Sequence, residues 1–384
     1  MKKKLTIIIF IIVMCPIILC GCWNYTEIDK LAIVAGVAID RDIVTNKYTI
    51  TTEIITTQSQ GVSSIISSQL FTSESDTIFG AVRNSIEKTG LRLFWSDAKV
   101  VIISDSIAKE GIIPALDWTN RSNFVRPDMW LLISKDNSAA EILRNKVKLN
   151  EISSFNIDST MNSGNVLSKF PGSMVWSFID ELSSSGKSEA VATAKSVQNE
   201  GLVSTIVEGS AIFKADKLVG YLDGNESLYM LMAKNKIKQG LITLINVSGS
   251  NANVTLEIND NRTKLTPLYN NGTTSMIMDI YPVVSIHEIQ GTIDFMTEEN
   301  LKMLQSETEK KIKINVQNLI NKLQKDYDSD VLNFEETFEN EKPKITKNLK
   351  NNGINIFKSL KATVNVHVQI KGSNKTIKPI IIGK

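Results

Sequence analysis

The chain has 384 residues and carries 43 Lys and Arg side chains against 41 Asp and Glu, with 42% apolar residues. This length predicts two or three domains, and the composition excludes a globally disordered chain. The three cysteines all lie within the first 22 positions, and the two histidines are 80 positions apart. The folded body therefore cannot hold a disulfide framework, a thiolate zinc site, a cysteine nucleophile or a local two-histidine metal motif.

The N-terminal 22 residues have the pattern of a bacterial lipoprotein signal. Three lysines precede an apolar run, Leu5–Leu19, which is followed by Cys20, Gly21 and Cys22. The run has about 15 residues, whereas a transmembrane helix needs about 20. The sequence therefore predicts a signal peptide over residues 1–21, cut before Cys22, and a diacylglycerol thioether on Cys22. Cys20 stands where such signals usually carry Ala, Ser or Thr, and the alternatives are an uncleaved anchor or an incidental cysteine.

The charge of the mature chain argues against a nucleic-acid partner. Removing residues 1–21 takes away three lysines and no acid, which leaves 40 basic and 41 acidic side chains. A nucleic-acid-binding protein needs a positive field to release counterions from phosphates. Residues 297–384 are basic, with 16 lysines against 11 acids. We interpret this excess as a solvated face, the alternative being a surface that approaches anionic lipid headgroups.

The first part of the mature chain predicts a strand pair and a helix. Leu31–Asp40 is almost continuously apolar and Tyr48–Thr57 alternates, which is typical of two paired strands. The stretch 58–75 is rich in Ser, Thr and Gln and predicts a surface loop. A helix is predicted to begin near Asp76 and to end at Gly90.

Strands and helices then alternate as far as residue 182. The predicted elements are a buried strand at Val100–Ile103, a helix at Asp105–Trp118 divided near Pro114, a strand at Trp130–Ile133, a helix from Asn137 or Ser138 to Asn145, and a helix at Ser173–Leu182. A polar connection is predicted over 183–201. The alternation indicates α/β layers and an N-terminal domain of residues 22–200.

Strands dominate the middle of the chain, and a long helix marks its end. A hairpin, a helix and four strands are predicted within residues 201–287, which indicates a middle α+β domain. Apolar residues then recur every three or four positions from Leu301 to Tyr327, which predicts an amphipathic helix of about 30 residues. We expect its apolar stripe to pack on the sheet of a C-terminal domain, residues 288–384, rather than on a membrane. The predicted fold class is α/β (α+β), with three mixed sheet-and-helix domains in a row.

The sequence contains no recognisable catalytic constellation. Ser184–Ser188 ends like a phosphate-binding loop, but Glu181 stands where that loop needs a glycine. Nucleophile-elbow, dinucleotide-binding and calcium-loop patterns do not occur. Carboxylate pairs such as Glu335 and Glu336 do not reveal the spatial separation on which a glycosidase depends. We therefore predict no enzyme, no cofactor and no metal, and leave the ligand-binding residues open.

Four further residues are candidates for a functional site. Asp40 ends the first strand and Arg92 precedes a tryptophan, but a strand-end cap and an ordinary ion pair explain them equally well. His287 is interpreted as a strand-end residue without catalytic meaning, and His367 as an exposed residue of the last strand.

The order and spacing of several stretches, together with the lipoprotein signal, resemble one known family. The stretches are Cys22–Asn24, Glu27–Asp29, Leu31–Asp40, Ile78–Arg83, Ala98–Ile103, Ile107–Ile112, Arg126–Asp128, Glu208–Lys214 and Lys217–Gly224. With them the chain is similar to the Ger(x)C family, the lipoprotein C subunits of the nutrient germinant receptors of endospore-forming bacteria. The tryptophan that usually precedes the last strand in this family does not occur here.

The resemblance implies a non-catalytic three-domain α/β lipoprotein, held by lipid at Cys22 on the outer face of the spore's inner membrane. It implies two partners, a membrane-embedded A subunit and a transporter-like B subunit, with which the protein converts nutrient binding into germination. The alternative is a solute-binding lipoprotein of a transporter, which would need two similar lobes around a ligand cleft. A wall hydrolase would need a carboxylate dyad.

Overall fold

The computed structural model describes residues 3–4, 27, 30–60, 63–122, 125–145, 152–183, 188–199, 201–291 and 293–373. These residues form two mixed β-sheets with helices packed against them. The predicted mixed α/β class with more than one domain is confirmed.

The first sheet has nine strands within the described ranges, in the order β3-β2-β1-β5-β6-β7-β8-β9, with β4 paired to the start of β1. The strands are β1 Leu31–Arg41, β2 Tyr48–Gln60, β3 Ser63–Ser75, β4 Arg92–Phe94, β5 Val100–Ser104, β6 Trp130–Ser134, β7 Ala190–Asn199, β8 Leu202–Lys214 and β9 Lys217–Leu222. The central strands β1, β5, β6 and β7 run parallel, and the outer strands are antiparallel hairpins. The central strands read as continuous apolar runs because both faces of a parallel sheet are covered by helices.

Helices cover both faces of this sheet. They are α1 Ile78–Thr89, α2 Asp105–Glu110, α3 Ile113–Arg121, α4 Ala139–Arg144, α5 Ser153–Asn162, α6 Gly164–Leu167 and α7 Val175–Ser183. One face packs on α1, α2, α3 and α7, and the other packs on α4 and α5. Pro114 lies in the first turn of α3, so the predicted division of this helical stretch is correct.

The second sheet has five strands within the described ranges, in the order β10-β11-β12-β13, with β14 also paired to β12. The strands are β10 Gly240–Leu244, β11 Asn253–Asn270, β12 Thr273–Gln290, β13 Lys361–Val366 and β14 Gln369–Ser373. The helices of this part are α8 Gly224–Ala233, α9 Glu298–Lys322, α10 Phe334–Glu341, α11 Pro343–Asn351 and α12 Ile356–Ser359. A π-helical turn, Leu323–Tyr327, extends α9.

The long helix α9 packs on the second sheet, as predicted. Thr297 is its N-cap, and its side chain accepts a hydrogen bond from the Asn300 amide. Leu304, Ile312 and Val316 are fully buried and belong to the same hydrophobic cluster as the inward side chains of β11 and β12. The apolar stripe is therefore core.

The sheets do not divide at the predicted domain limits. Residue 200 lies between β7 and β8, which pair with each other, and residue 287 lies within β12. The strands of the predicted middle domain are thus shared between the two sheets, and α9 packs on strands from both sides of the second limit. The extent of the independent folding units, predicted as 22–200, 201–287 and 288–384, stays a prediction.

Two stretches that the sequence assigned to loops are strands. β2 continues to Gln60 and β3 covers most of the predicted loop 58–75, while β7 lies in the predicted connection 183–201. Their Ser and Thr residues are hydrogen-bonded across strands, for example Thr51 Oγ1 to Thr72 Oγ1 at 3.0 Å. Polar composition was therefore misleading, because hydroxyl side chains satisfy each other in cross-strand pairs.

Candidate functional site

A cleft of about 560 Å³ lies between the helices under the first sheet and the end of α8. Trp130, Met161 and Phe170 form one apolar wall, and Met230 and Leu231 of α8 form another. The Trp130 ring is held in place because its Nε1 donates to Asp158 Oδ1 at 2.9 Å. The volume of the cleft is within the range of small-molecule sites, and its lining contains apolar and polar residues in about equal number.

Glu189 and Lys234 form an ion pair in the wall of this cleft. The Lys234 Nζ lies 3.3 and 3.5 Å from the two carboxylate oxygens of Glu189. The Lys234 side chain is 4% exposed and the Glu189 side chain is 10% exposed. Since a buried charge without a partner is strongly destabilising, each of these residues requires the other.

Local structure explains where the two charges lie. A capping box formed by Asp223 and Glu226 begins α8, and Lys234 is its C-cap. A cation at this end is favoured by the helix dipole. Glu189 immediately precedes β7, and its Oε1 also accepts from the Ala190 amide at 3.0 Å. Two regular elements thus hold the pair in position.

Asp330 provides a second carboxylate whose pKa is affected by the charge of Lys234. It accepts hydrogen bonds from the amides of Phe334 at 3.0 Å and Glu335 at 2.7 Å, at the start of α10. Burial raises the pKa of Asp330 from 3.8 to about 6, and the charge of Glu335 adds to this, while the two amide donors and Lys234 act in the opposite direction. The carboxyl therefore titrates just below neutral pH.

Next to Asp330 lies a smaller pocket of about 160 Å³ with five carboxylates in its lining. These are Asp328, Asp330, Glu335, Glu336 and Glu339. The carboxylates have partners within the protein: Lys214 lies 2.6 Å from Asp328, and Lys350 lies 3.2 Å from Glu339. Glu335 accepts from the Phe357 amide at 3.2 Å. Glu336, its neighbour in the sequence, accepts from Asn333 Nδ2 at 3.0 Å, so both carboxylates of this adjacent pair make contacts within the protein.

The end of the long helix docks on β8 and β9 of the first sheet. The Tyr327 hydroxyl donates to the Tyr221 carbonyl at 2.8 Å and accepts from the Tyr221 amide at 3.2 Å. The Ser329 hydroxyl donates to the buried Phe213 carbonyl at 2.8 Å. The absence of a side chain at Gly220 leaves the room that the Tyr327 ring occupies. These contacts fix the second sheet against the first and thereby fix the shape of the cleft.

The residues that the sequence proposed for a site are not brought together. Cys22 lies outside the described residues. Asp40 accepts from Ser138 Oγ and from the amides of Ala139 and Ala140 at 2.7 to 3.1 Å, so it caps α4, and burial raises its pKa against these donors. Arg92 is an exposed residue of β4. Asp40 is thus a structural cap.

Neither histidine lies near the cleft lining. His287 Nε2 lies 2.6 Å from Glu257 Oε2 on the neighbouring strand, and His367 stacks on Tyr281 with ring centroids 5.0 Å apart. Among the residues that the structure describes, no group of three or more His, Cys, Asp or Glu side chains is placed to hold a metal ion. In the same part of the chain, no helix is both long and apolar enough to cross a membrane.

The Glu189–Lys234 pair is not evident from the sequence. Glu189 fell in a stretch assigned to a connection, and Lys234 follows the apolar run Leu228–Ala233 without any motif. The available signal was a lysine directly after the apolar run Leu228–Ala233, because such a side chain needs an acidic partner if its helix is buried.

Two family models match the chain in series. The model described as "Spore germination protein N-terminal domain" matches residues 24–195, and the one described as "Spore germination B3/ GerAC like, C-terminal" matches residues 208–374. The chain belongs to the Ger(x)C family. The predicted resemblance is confirmed; the first match ends within β7 and the second begins within β8.

Individual relatives agree with this family. Spore germination protein KC of Bacillus subtilis (strain 168) is 25% identical over 281 residues, which cover 67% of this chain and 68% of the relative. Spore germination protein YndF of the same organism is 22% identical over 392 residues, which cover 94% and 95%. The crystal structure of the GerBC protein matches with a TM-score of 0.56 at 17% identity and covers 88% of this chain and 97% of that one. At this identity the GerBC match shows the Ger(x)C fold.

Proposed function

We propose that this protein is the lipid-anchored C subunit of a nutrient germinant receptor and that it acts in spore germination as a non-catalytic sensing and assembly subunit. The observation that carries the proposal is the match of both family models, in series, over nearly the whole mature chain. Asp328, Glu335 and Glu339 in the smaller pocket bond to groups of the protein itself, which favours a structural role for them.

The proposed anchor is a diacylglyceryl thioether on Cys22. A single acyl chain binds a membrane only marginally, whereas two chains, at about 0.8 kcal/mol per buried methylene, make release slow. In this proposal the anchor holds the protein on the outer face of the spore's inner membrane. The sequence feature that supports it is the basic start, apolar run and Cys20-Gly21-Cys22 ending.

Mass spectrometry of the mature N-terminal peptide tests the anchor. We expect a peptide that begins at a lipid-modified Cys22. The change Cys22→Ala should abolish lipid labelling and leave the precursor uncut before position 22. The matched control is Cys20→Ala, which places a usual residue at that position and should be lipidated normally. An unmodified wild-type peptide that begins elsewhere would contradict the anchor.

The proposed partners are a membrane-embedded A subunit and a transporter-like B subunit. A pull-down from detergent-solubilised spore membrane with the tagged protein should recover two multi-span membrane proteins. Recovery of transport ATPase components instead would favour the solute-binding alternative. That alternative has less support, because the two sheets differ in strand number and order and do not form two similar lobes around the cleft.

A further inference from the structure

Strand β3 forms one edge of the first sheet, and α1 covers only part of its outer side. Lys88 Nζ of α1 donates to the Thr72 carbonyl at 2.6 Å. Asn84 Nδ2, on the same helix, donates to the Glu74 carbonyl at 2.9 Å. The carbonyls of Thr72 and Glu74 therefore point away from β2, and α1 satisfies them in place of a neighbouring strand.

The other half of this edge is open. Backbone groups alternate in direction along a strand, so the even-numbered residues Ile66, Ser68 and Leu70 also face outward. On the opposite parity, the Phe71 carbonyl faces β2 and accepts from Thr52 Oγ1 at 3.3 Å. Within the described part of the chain, no hydrogen bond reaches the outward amides and carbonyls of Ile66, Ser68 and Leu70. A further strand can therefore pair there.

The open stretch lacks the features by which edge strands avoid pairing. Natural edges carry charged side chains, prolines or bulges, whereas residues 63–73 contain neither a charged residue nor a proline, and their register with β2 is unbroken. Ile66 is 59% exposed. The pairing of β1 with β2 ends at Ile54, so the outer half of the β2–β3 hairpin has two strands only. Because a two-stranded ribbon is marginally stable in water, an added strand would stabilise it.

The side chains of this stretch are complementary to themselves. A second copy of β3, placed antiparallel about a twofold axis at Ser68, brings Ile66 opposite Leu70 of the copy on one face. On the other face it brings Ser67 opposite Gln69. Apolar residues thus meet apolar residues, and polar residues meet polar ones. The outward residues of the two copies would exchange about six backbone hydrogen bonds. The carbonyls that α1 covers lie outside this stretch.

We propose that the protein forms a twofold-symmetric dimer by antiparallel pairing of β3 with β3 of a second copy, centred on Ser68. The same surface of both copies is used, so the assembly closes at two chains. The two nine-stranded sheets then become one continuous sheet. This inference goes beyond the proposed function and is independent of the anchor, because it concerns the folded body alone.

Sedimentation equilibrium of the full-length protein in density-matched detergent tests the dimer. The wild type should reach twice the mass of one chain in the micromolar range. Ile66→Lys places a charge opposite Leu70 at two points of the interface and should weaken dimerisation at least about tenfold. The matched control is Ile43→Lys, at a 94% exposed position in the β1–β2 turn, which should dimerise like the wild type.

Cysteine pairs test the register. Facing residues of a hydrogen-bonded antiparallel pair have Cα atoms about 5.5 Å apart, which is within disulfide range. An oxidised mixture of Ile66→Cys and Leu70→Cys proteins should therefore give disulfide-linked dimers. Each variant oxidised alone is the control, because its two introduced cysteines would lie about 13 Å apart, four residues out of register. These controls also account for Cys20 and Cys22.

Three results would overturn the proposal. The first is a wild-type protein that stays monomeric throughout the micromolar range. The second is an Ile66→Lys protein that dimerises as tightly as the Ile43→Lys control. The third is a cross-link in the single-variant samples without one in the mixture, which would exclude the axis at Ser68. The cysteine test does not use Ile66→Lys, so a folding defect of that variant leaves it intact.

Discussion

The pH dependence of stability should depend on Asp330, whose carboxyl is held at the start of α10 behind Lys234. The informative change is Asp330→Asn, which conserves the size of the side chain but removes its titration. In the wild type the backbone amides of Phe334 and Glu335 donate to separate carboxylate oxygens of Asp330. An Asn side chain has one oxygen and can accept from only one of these amides. That loss is the same at every pH, so it cancels when two pH values are compared.

The magnitude follows from the raised pKa. Asp330 titrates at about 6 in the folded protein and at 3.8 as its ordinary value. One pKa unit corresponds to about 1.4 kcal/mol, so the full difference is about 3 kcal/mol. Because the folded pKa is the higher one, the folded state binds the proton more tightly. The contribution of Asp330 is therefore fully present below pH 3.8 and is lost as the pH rises through 6. From pH 7 to pH 4 it amounts to about 2 kcal/mol.

Urea unfolding followed by tryptophan fluorescence at pH 4 and pH 7 measures this effect. The free energy of unfolding of the wild type, relative to Asp330→Asn, should rise by about 2 kcal/mol on going from pH 7 to pH 4. For the control Asp42→Asn, the stability of the wild type relative to the variant should instead fall from pH 7 to pH 4, because hydrogen bonds from Thr45 lower the pKa of Asp42. If the free energies of unfolding of the wild type and Asp330→Asn differed by the same amount at both pH values, the raised pKa would be refuted.

Two further substitutions test the packing. Ile312→Asp would bury an unpaired charge in the apolar stripe of α9 and should abolish soluble folded protein. The control Ile314→Asp, at a 48% exposed position, should change the free energy of unfolding by no more than about 0.5 kcal/mol. An Ile312→Asp protein that melts cooperatively would contradict the core assignment. Gly220→Ala would place a Cβ atom 2.2 Å from the Tyr327 ring and should lower the free energy of unfolding by about 1–3 kcal/mol. In the control Gly172→Ala the new Cβ atom meets only ordinary contacts at 3.5 Å. Equal urea midpoints for the two variants would show that the docking of Tyr327 contributes nothing to stability.

The sequence was sufficient wherever a signal is local. The helix α1, with Thr77 as its N-cap and Gly90 in the left-handed conformation at its end, follows from caps and periodicity within one stretch. The long helix α9 and the β8–β9 hairpin follow in the same way. The order and spacing of the stretches from Cys22 to Gly224, together with the N-terminal signal, were sufficient to predict the family, which both family matches confirm.

The sequence failed where the partner of a residue is far away along the chain. Helix α5 went unpredicted because its first-turn amides donate to Glu53, about 100 positions earlier, at 2.8 and 2.9 Å, and not to a cap of its own. Its close approach to the sheet requires Gly36, since a Cβ atom there would lie 2.1 Å from Ser154 Oγ. Neither relation leaves a pattern in adjacent residues.

The Glu189–Lys234 pair shows the same limit at the candidate site. The sequence by itself determined that a helix carries the apolar residues Leu228, Leu231 and Met232 shortly before Lys234. Only the tertiary structure decided which carboxylate neutralises the charge, because that depends on how β7 and α8 meet, 45 positions apart. The cleft exists for the same reason: its walls come from separate parts of the chain, and their spacing is fixed by the docking of Tyr327 and Ser329 on the first sheet.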